Sequence, residues 1–166
     1  HMHSDHIGLA GWFTRRHGVR LWMTRLEYLT SRSVTSSLHR EPPIDALTFY
    51  MQAGWETPAI ESYRTRFMHS SRYVHALPDS YRRIRDEEEF LIGKHTWEVV
   101  VGSGHSPEHA SLYSPELQIL ISGDQVLPKI SSNISVHPME PDADPMRDWL
   151  ESLDKMQTRI PDNVLV

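Results

Sequence analysis

The sequence predicts an α+β domain of short strands interrupted by a helical insertion. Two patterns point there. Strand-length apolar runs parted by turn residues fill positions 90–121, and helical patterns opened by capping residues lie on both sides of them.

Residues 1–8, HMHSDHIG, are too polar for a strand and lead into Leu9, Ala10, Trp12 and Phe13, an apolar set that suits a short helix. A loop running into a helix is expected. Val19 to Met23 reads as a short strand, after which Thr24 can cap a helix and Glu27 can reach back to close a capping box. From about His39 to Asp86 the texture changes to two helices. Pro42-Pro43 opens one that carries Ile44, Leu47 and Met51, and Thr57-Pro58 opens another that carries Ile60 and Phe67. Phe90 to Ile92, the turn Gly93-Lys94-His95 and Trp97 to Val101 then form a hairpin pattern that ends in the corner Gly102-Ser103-Gly104-His105. Two more strands fit Ala110 to Tyr113 and Leu117 to Ile121, and the second runs into Ser122-Gly123-Asp124. In the last helix Asp144 is the cap, Pro145 takes the first position, and Met146, Trp149, Leu150, Leu153 and Met156 share one face. Asn163 to Val166 reads as the start of a further strand.

The 166 residues, 39% of them hydrophobic, have the size of one domain or a piece of one. A net charge of −5 without a basic tail argues against a protein built to hold nucleic acid by its phosphates. The absence of cysteine excludes disulfides, thiolate metal sites and a cysteine nucleophile, and makes the cytoplasm the expected compartment. No apolar run is long enough to span a bilayer and no signal peptide is visible, so no membrane partner is expected.

Chemistry concentrates in His1-x-His3-x-Asp5-His6, with His105 after a glycine corner and Asp124 after a glycine. These are nitrogen and oxygen donors of the hardness zinc accepts, and a carboxylate can bridge two ions. In an extended segment His1 and His3 point the same way and can share one ion, while Asp5 and His6 turn toward a second. Two divalent ions are therefore expected, zinc first, with iron and manganese accepting the same ligands. Each ion lowers the pKa of bound water toward about 7, giving a metal-bound hydroxide at neutral pH. Neither a Ser-His-Asp triad nor a phosphate-cradling glycine loop is present.

These residues resemble the metallo-β-lactamase superfamily, whose HxHxDH motif matches His1, His3, Asp5 and His6 without a substitution. The resemblance extends to Gly104-His105-Ser106-Pro107-Glu108-His109 and to Ser122-Gly123-Asp124. It implies an αββα sandwich over residues 1–166, incomplete at both ends, with strands expected before the first motif and one more histidine ligand expected after Val166. It also implies that His1, His3 and His105 hold the first metal, that Asp5 and His6 hold the second, and that Asp124 bridges them. Asp5 and Asp124 are then the catalytic candidates, Asp124 holding the nucleophile and Asp5 able to take its proton. The activity implied is that of a binuclear hydrolase, hydroxyacylglutathione-hydrolase-like, acting on a thioester or other acyl ester. A metal-dependent RNase or phosphodiesterase, and a non-catalytic metal- or RNA-binding module, are the alternatives.

The insertion, about residues 39–86, is rich in arginine and tyrosine, including Arg40 and Arg72. It is expected to form a lid beside the metals that presents Tyr63, Arg64, Arg66 and Tyr73 to a small-molecule acyl substrate. A solvated helical face explains the same composition equally well. His109, four residues after His105, is expected either to support the metal ligands or, as the favoured reading, to be a surface histidine, and His17, His39, His69, His75, His95 and His137 to have no role in the site.

Overall fold

The computed structural model describes residues 1–35, 41–67 and 73–166. His39, Arg40, His69 and Arg72 lie outside the described residues. The chain opens with α1 (Ser4–Ile7) and α2 (Ala10–His17), then β1 (Trp22–Met23), α3 (Arg25–Thr35), α4 (Ile44–Gln52) and α5 (Thr57–Arg66). After β2 (Arg82–Arg83) come β3 (Glu89–Ile92), β4 (His95–Gly102), β5 (His109–Ser114), β6 (Ile119–Ile121) and α6 (Pro145–Arg159).

An antiparallel sheet in the order β3-β4-β5-β6 organises the site end of the molecule. Gly93, at φ 63°, makes the tight turn between β3 and β4, which fixes Phe90 opposite Trp97. Val99 and Val100 are fully buried although successive strand residues face opposite sides, so β4 is covered on both faces. On one face Val100, Tyr113 and Leu120 pack against Met156 and Ile160 of α6, with Val126 and Val164 at the margin. Helix α6 starts as expected: the Asp144 side chain accepts the Arg147 N–H at 3.1 Å and Pro145 needs no donor. Its rotation differs from the apolar stripe. Ser152, Met156 and Ile160 face inward, Trp149 and Leu153 are half-buried beside them, and Met146 and Leu150 are half exposed, because the sheet accepts a row four residues apart.

The motif segment corrects an expectation. It is a loop only as far as His3, whose carbonyl accepts the N–H groups of His6 and Ile7 at 3.0 Å and so starts α1. A second cluster, Ile7, Met23, Tyr28 and Leu77, anchors this helix, with Tyr28 stacked on Tyr81 at 3.9 Å. The expected strand at 19–23 is reduced to Trp22–Met23, paired in parallel with Arg82–Arg83. Within the expected insertion the helices are α4 and α5, while Val74 and Leu77 belong to the cluster under α1. Of the expected last strand at 163–166 the structure has a single parallel bridge, between Leu165 and Ile119.

The capping box at the start of α3 does not form. Thr24 Oγ1 donates to the Glu108 carbonyl at 2.7 Å, and the Leu26 N–H goes to the Glu108 carboxylate at 2.8 Å. A residue distant in sequence caps the helix, which frees Glu27 for contacts elsewhere.

Candidate metal centre

Four segments deliver the donors. His1 and His3 lie on the extended run before α1, Asp5 and His6 on its first turns, His105 on the corner after β4, and Asp124 just beyond β6. His1 Nε2 is 3.1 Å from His3 Nδ1, 3.3 Å from His105 Nε2 and 3.5 Å from Asp124 Oδ2. His105 Nε2 is also 3.5 Å from that oxygen. The other oxygen of Asp124 turns away from this group and lies 3.2 Å from His6 Nε2, which is 3.9 Å from Asp5 Oδ2. The donors thus form two groups, His1-His3-His105-Asp124 and Asp5-His6-Asp124, and Asp124 belongs to both.

A cation fits the first group on two grounds. Donors around a tetrahedral zinc at about 2.0–2.1 Å are about 3.3 Å apart, and four pairs here lie at 3.1–3.5 Å. Moreover, three imidazole nitrogens and a carboxylate oxygen converge in a place where the His1 and His105 side chains are 1% and 6% exposed, and one cation there would satisfy all four at once. Burial and the neighbouring His105 hold the His3 pKa below its ordinary value, favouring the neutral ligand form. His105 donates Nδ1–H to the Asn133 carbonyl at 2.9 Å, which leaves Nε2 with its lone pair toward the site.

Glycine immediately precedes each of the two distant donors, and both glycines have positive φ. Gly104 has φ 95°, and a Cβ there would meet the Pro145 carbonyl and lie 2.7 Å from Trp149 N. Gly123 has φ 55°, and a Cβ there would lie 2.7 Å from the His109 ring. Only glycine lets α6 close on one corner and His109 on the other.

His109 corrects the expectation of a surface histidine. It is 1% exposed, its ring stacks on His1 at 4.6 Å, and its Nε2 accepts the Asp124 N–H at 3.1 Å. Burial first, then nearby positive groups, push its pKa down to about 3, so the ring stays a neutral acceptor. Its position opposite Gly102 on the central strand pair, pointing inward, is the signal that strand alternation held.

The model of the metallo-beta-lactamase superfamily matches residues 1–165. The chain belongs to that superfamily. A beta-lactamase domain protein from Burkholderia ambifaria is similar over 100% of the chain and 46% of its own length, at 40% identity and TM-score 0.87. A metallo-beta-lactamase family protein from Thermus thermophilus is similar over 93% of the chain and 48% of its own, at 25% identity and TM-score 0.68. The BLEG-1 B3 metallo-beta-lactamase shares the fold at 18% identity and TM-score 0.60, with 99% of the chain and 63% of its own length covered. The chain therefore spans about half the length of the first two solved structures. No curated protein matches. Members of the metallo-beta-lactamase superfamily are generally metal-dependent hydrolases and typically bind divalent metals. Among the described residues no helix is long and apolar enough to cross a membrane.

Beside these donors a cleft of about 680 Å3 opens directly from His105 and Asp124. Leu127, Ile130, Ile134, Met146 and Trp149 form its apolar walls, and Trp149 is held by its Nε1–H to the Gln125 carbonyl. Of the four expected substrate residues, three make their contacts inside the α4–α5 hairpin. Tyr63 packs edge-on against Tyr50 at 4.8 Å, Arg64 pairs with Glu61 at 3.4 Å, and Arg66 donates Nε–H to the Ser62 carbonyl at 3.2 Å. Tyr73 is exposed, and its neighbour His75 donates its N–H to the Gly8 carbonyl at 2.9 Å, which ties that stretch to the end of the motif helix.

Sequence reading missed one further residue. Glu27, 1% exposed, accepts hydrogen bonds from Met2 N, Ser106 Oγ and Glu108 N. Its sequence context suggests only a helix cap, and no local pattern shows that the groups it meets lie on the two donor segments.

Proposed function

We propose that the chain carries the centre of a binuclear metal-dependent hydrolase that acts on a thioester or other acyl ester with an apolar acyl group. The observation that carries this reading is the cleft: it begins at two of the donors, Leu127, Ile130, Ile134, Met146 and Trp149 line it beside Ser131, Ser132 and Asn133, and among the described residues neither Lys nor Arg lines it. Bound there, divalent ions would supply an acidified water and positive charge to polarise a carbonyl. Zinc suits the His and Asp donors first, and iron and manganese remain acceptable to them.

The chain's own groups then have separate tasks. Asp124 joins the two donor groups through its two oxygens and keeps them at a fixed separation. Asp5, whose side chain is 76% exposed, stands where it can take a proton from the nucleophile and pass it to solvent. The apolar walls hold the acyl chain and exclude water from its path. A cytoplasmic setting fits the absence of cysteine.

We retain the expected insertion, with Tyr63, Arg64 and Arg66 on its helical hairpin and Tyr73 beyond it, as the part that meets an anionic leaving group. Replacing Arg64 and Arg66 with alanine is then expected to raise KM for an anionic substrate more than it lowers kcat, and wild-type kinetics would reduce the hairpin to a scaffold. RNase or phosphodiesterase activity, and RNA binding without turnover, are disfavoured by a cleft that no described Lys or Arg lines, since phosphate substrates call for cationic side chains. The deciding experiment offers the intact protein, loaded in turn with zinc, manganese or iron, a panel of acyl thioesters, lactones, nitrocefin, phosphodiesters and RNA. Chelator-sensitive release of thiol from apolar acyl thioesters is the expected result. Turnover confined to the phosphodiesters or RNA, or none at all, would overturn the proposal.

A further inference from the structure

Glu27 lies on α3, outside both donor groups, yet it is buried and all three of its side-chain contacts reach across the fold. One oxygen accepts the N–H of Met2, the residue between His1 and His3, at 2.6 Å. The other accepts Ser106 Oγ–H at 2.6 Å and the Glu108 N–H at 2.9 Å, on the corner that carries His105. A single carboxylate therefore joins the two segments that bring His1, His3 and His105 together. The same corner is pinned from its other side, because the Glu108 carboxylate accepts the Leu26 N–H and the Glu108 carbonyl accepts Thr24 Oγ1–H. The two glutamates thus exchange contacts between the start of α3 and the His105 corner.

We propose that Glu27 is a positioning residue for the first metal ion, setting the separation between the His1–His3 segment and His105; this rests on the metal-centre reading above. The chemistry of the carboxylate is what suits it. Each of its oxygens accepts, so backbone N–H groups can approach from both segments at once. A glutamine of the same size has one accepting oxygen and one NH2 group. Whichever way that amide turns, a backbone N–H of Met2 or of Glu108 faces a donor, and one segment is released. The donors themselves remain, so the effect falls on their spacing and hence on how tightly an ion is held.

The test is a cobalt(II) titration of the intact metal-free protein, followed by visible absorption, since cobalt reports ligand geometry where zinc is silent. Glu27→Gln is expected to fold, by circular dichroism, to bind cobalt at the first site roughly 10- to 100-fold more weakly, and to change the visible spectrum. Asp86→Asn serves as a control that lowers stability away from the donors, and it is expected to keep wild-type cobalt affinity and spectrum. A folded Glu27→Gln with unchanged affinity and spectrum overturns the inference while leaving the metal-centre reading intact. So does an equal loss of affinity in Asp86→Asn, which would make the effect one of general stability. Should Glu27→Gln not fold, Ser106→Ala removes only one of the three contacts; a weaker cobalt site supports the inference and an unchanged one overturns it. A wild-type protein that binds no cobalt overturns the metal-centre reading itself, and the inference with it.

Discussion

The backbone and the side chain of Asp124 make separate sets of contacts. Its backbone N–H goes to His109 and its carbonyl accepts from Ser132, while both side-chain oxygens face the donor groups. Asp124→Ala should therefore leave the fold in place and remove the oxygens that the two groups share. The expected outcome is loss of turnover in the intact protein together with reduced metal content, checked by elemental analysis beside an unchanged circular dichroism spectrum. Retained turnover at wild-type metal content would refute a shared carboxylate. His109 shows the complementary arrangement: a buried neutral ring whose contacts are to the backbone and ring of the donors and not to the cleft.

Among the elements, α6 and the glycine corner at its start depend on each other. Because a methyl group at position 104 would run into Pro145 and Trp149, Gly104→Ala must displace either the helix or the segment leading to His105. A residue with a Cβ at this φ adds about 1–2 kcal/mol, and the crowding about 1–3 kcal/mol more. A drop in the urea midpoint on this scale, with weakened metal binding, is the expected result, and a variant as stable as wild type would contradict the close approach. At its other end α6 is tied to the sheet by Asp86. Burial alone would raise the Asp86 pKa, but the Val101 N–H and the Lys155 and Arg159 side chains outweigh it and hold it below the ordinary 3.8. The carboxylate is thus favoured in the folded state, and its contribution is present above about pH 4 and lost as pH falls through the lower folded pKa. With the side chain 37% exposed, solvent screening limits the effect to about 1 kcal/mol. Asp86→Asn should accordingly lower unfolding free energy by about that amount at pH 7 and by progressively less as pH falls below the ordinary 3.8 and through the lower folded pKa. An equal loss at every pH would mean that the charge is irrelevant.

For the whole molecule, the placement of the cleft sets which side chains lie beside the donors. It runs from His105 and Asp124 between the segment 127–134 and the first turns of α6, so the half-exposed Met146 becomes a wall of the site rather than a misplaced core residue. Each methylene buried there is worth up to about 0.8 kcal/mol, or about fourfold in kcat/KM. For a series of acyl thioesters, kcat/KM is expected to rise with acyl length until the cleft is filled. Ile130, 71% exposed, can be changed at little cost to stability, and Ile130→Ser should flatten that rise. A flat series in the wild-type protein would remove the cleft from substrate recognition.

Much of this was legible in the chain itself, for a local reason. The hairpin from Glu89 to Gly102, the start of α6 at Asp144-Pro145 and the two helices at Ile44–Gln52 and Thr57–Arg66 are specified by neighbours in sequence, through alternation, turn glycine and capping. The donor positions could be named for a similar reason: closely spaced His and Asp residues, and glycine before His105 and Asp124, mark backbone corners in whatever fold contains them. Other features existed only once distant segments met. Glu27 reads locally as a cap, yet its partners begin at Met2 and end at Glu108. His109 reads as a polar residue near a turn, yet β5 turns it inward beneath Asp124. The rotation of α6, which sends Met156 into the core and Met146 to the cleft, is likewise chosen by the sheet it packs on. Sequence determined which groups could act, because periodicity and capping are short-range; tertiary structure decided which of them face one another, because burial and spacing belong to contacts between segments far apart in the chain.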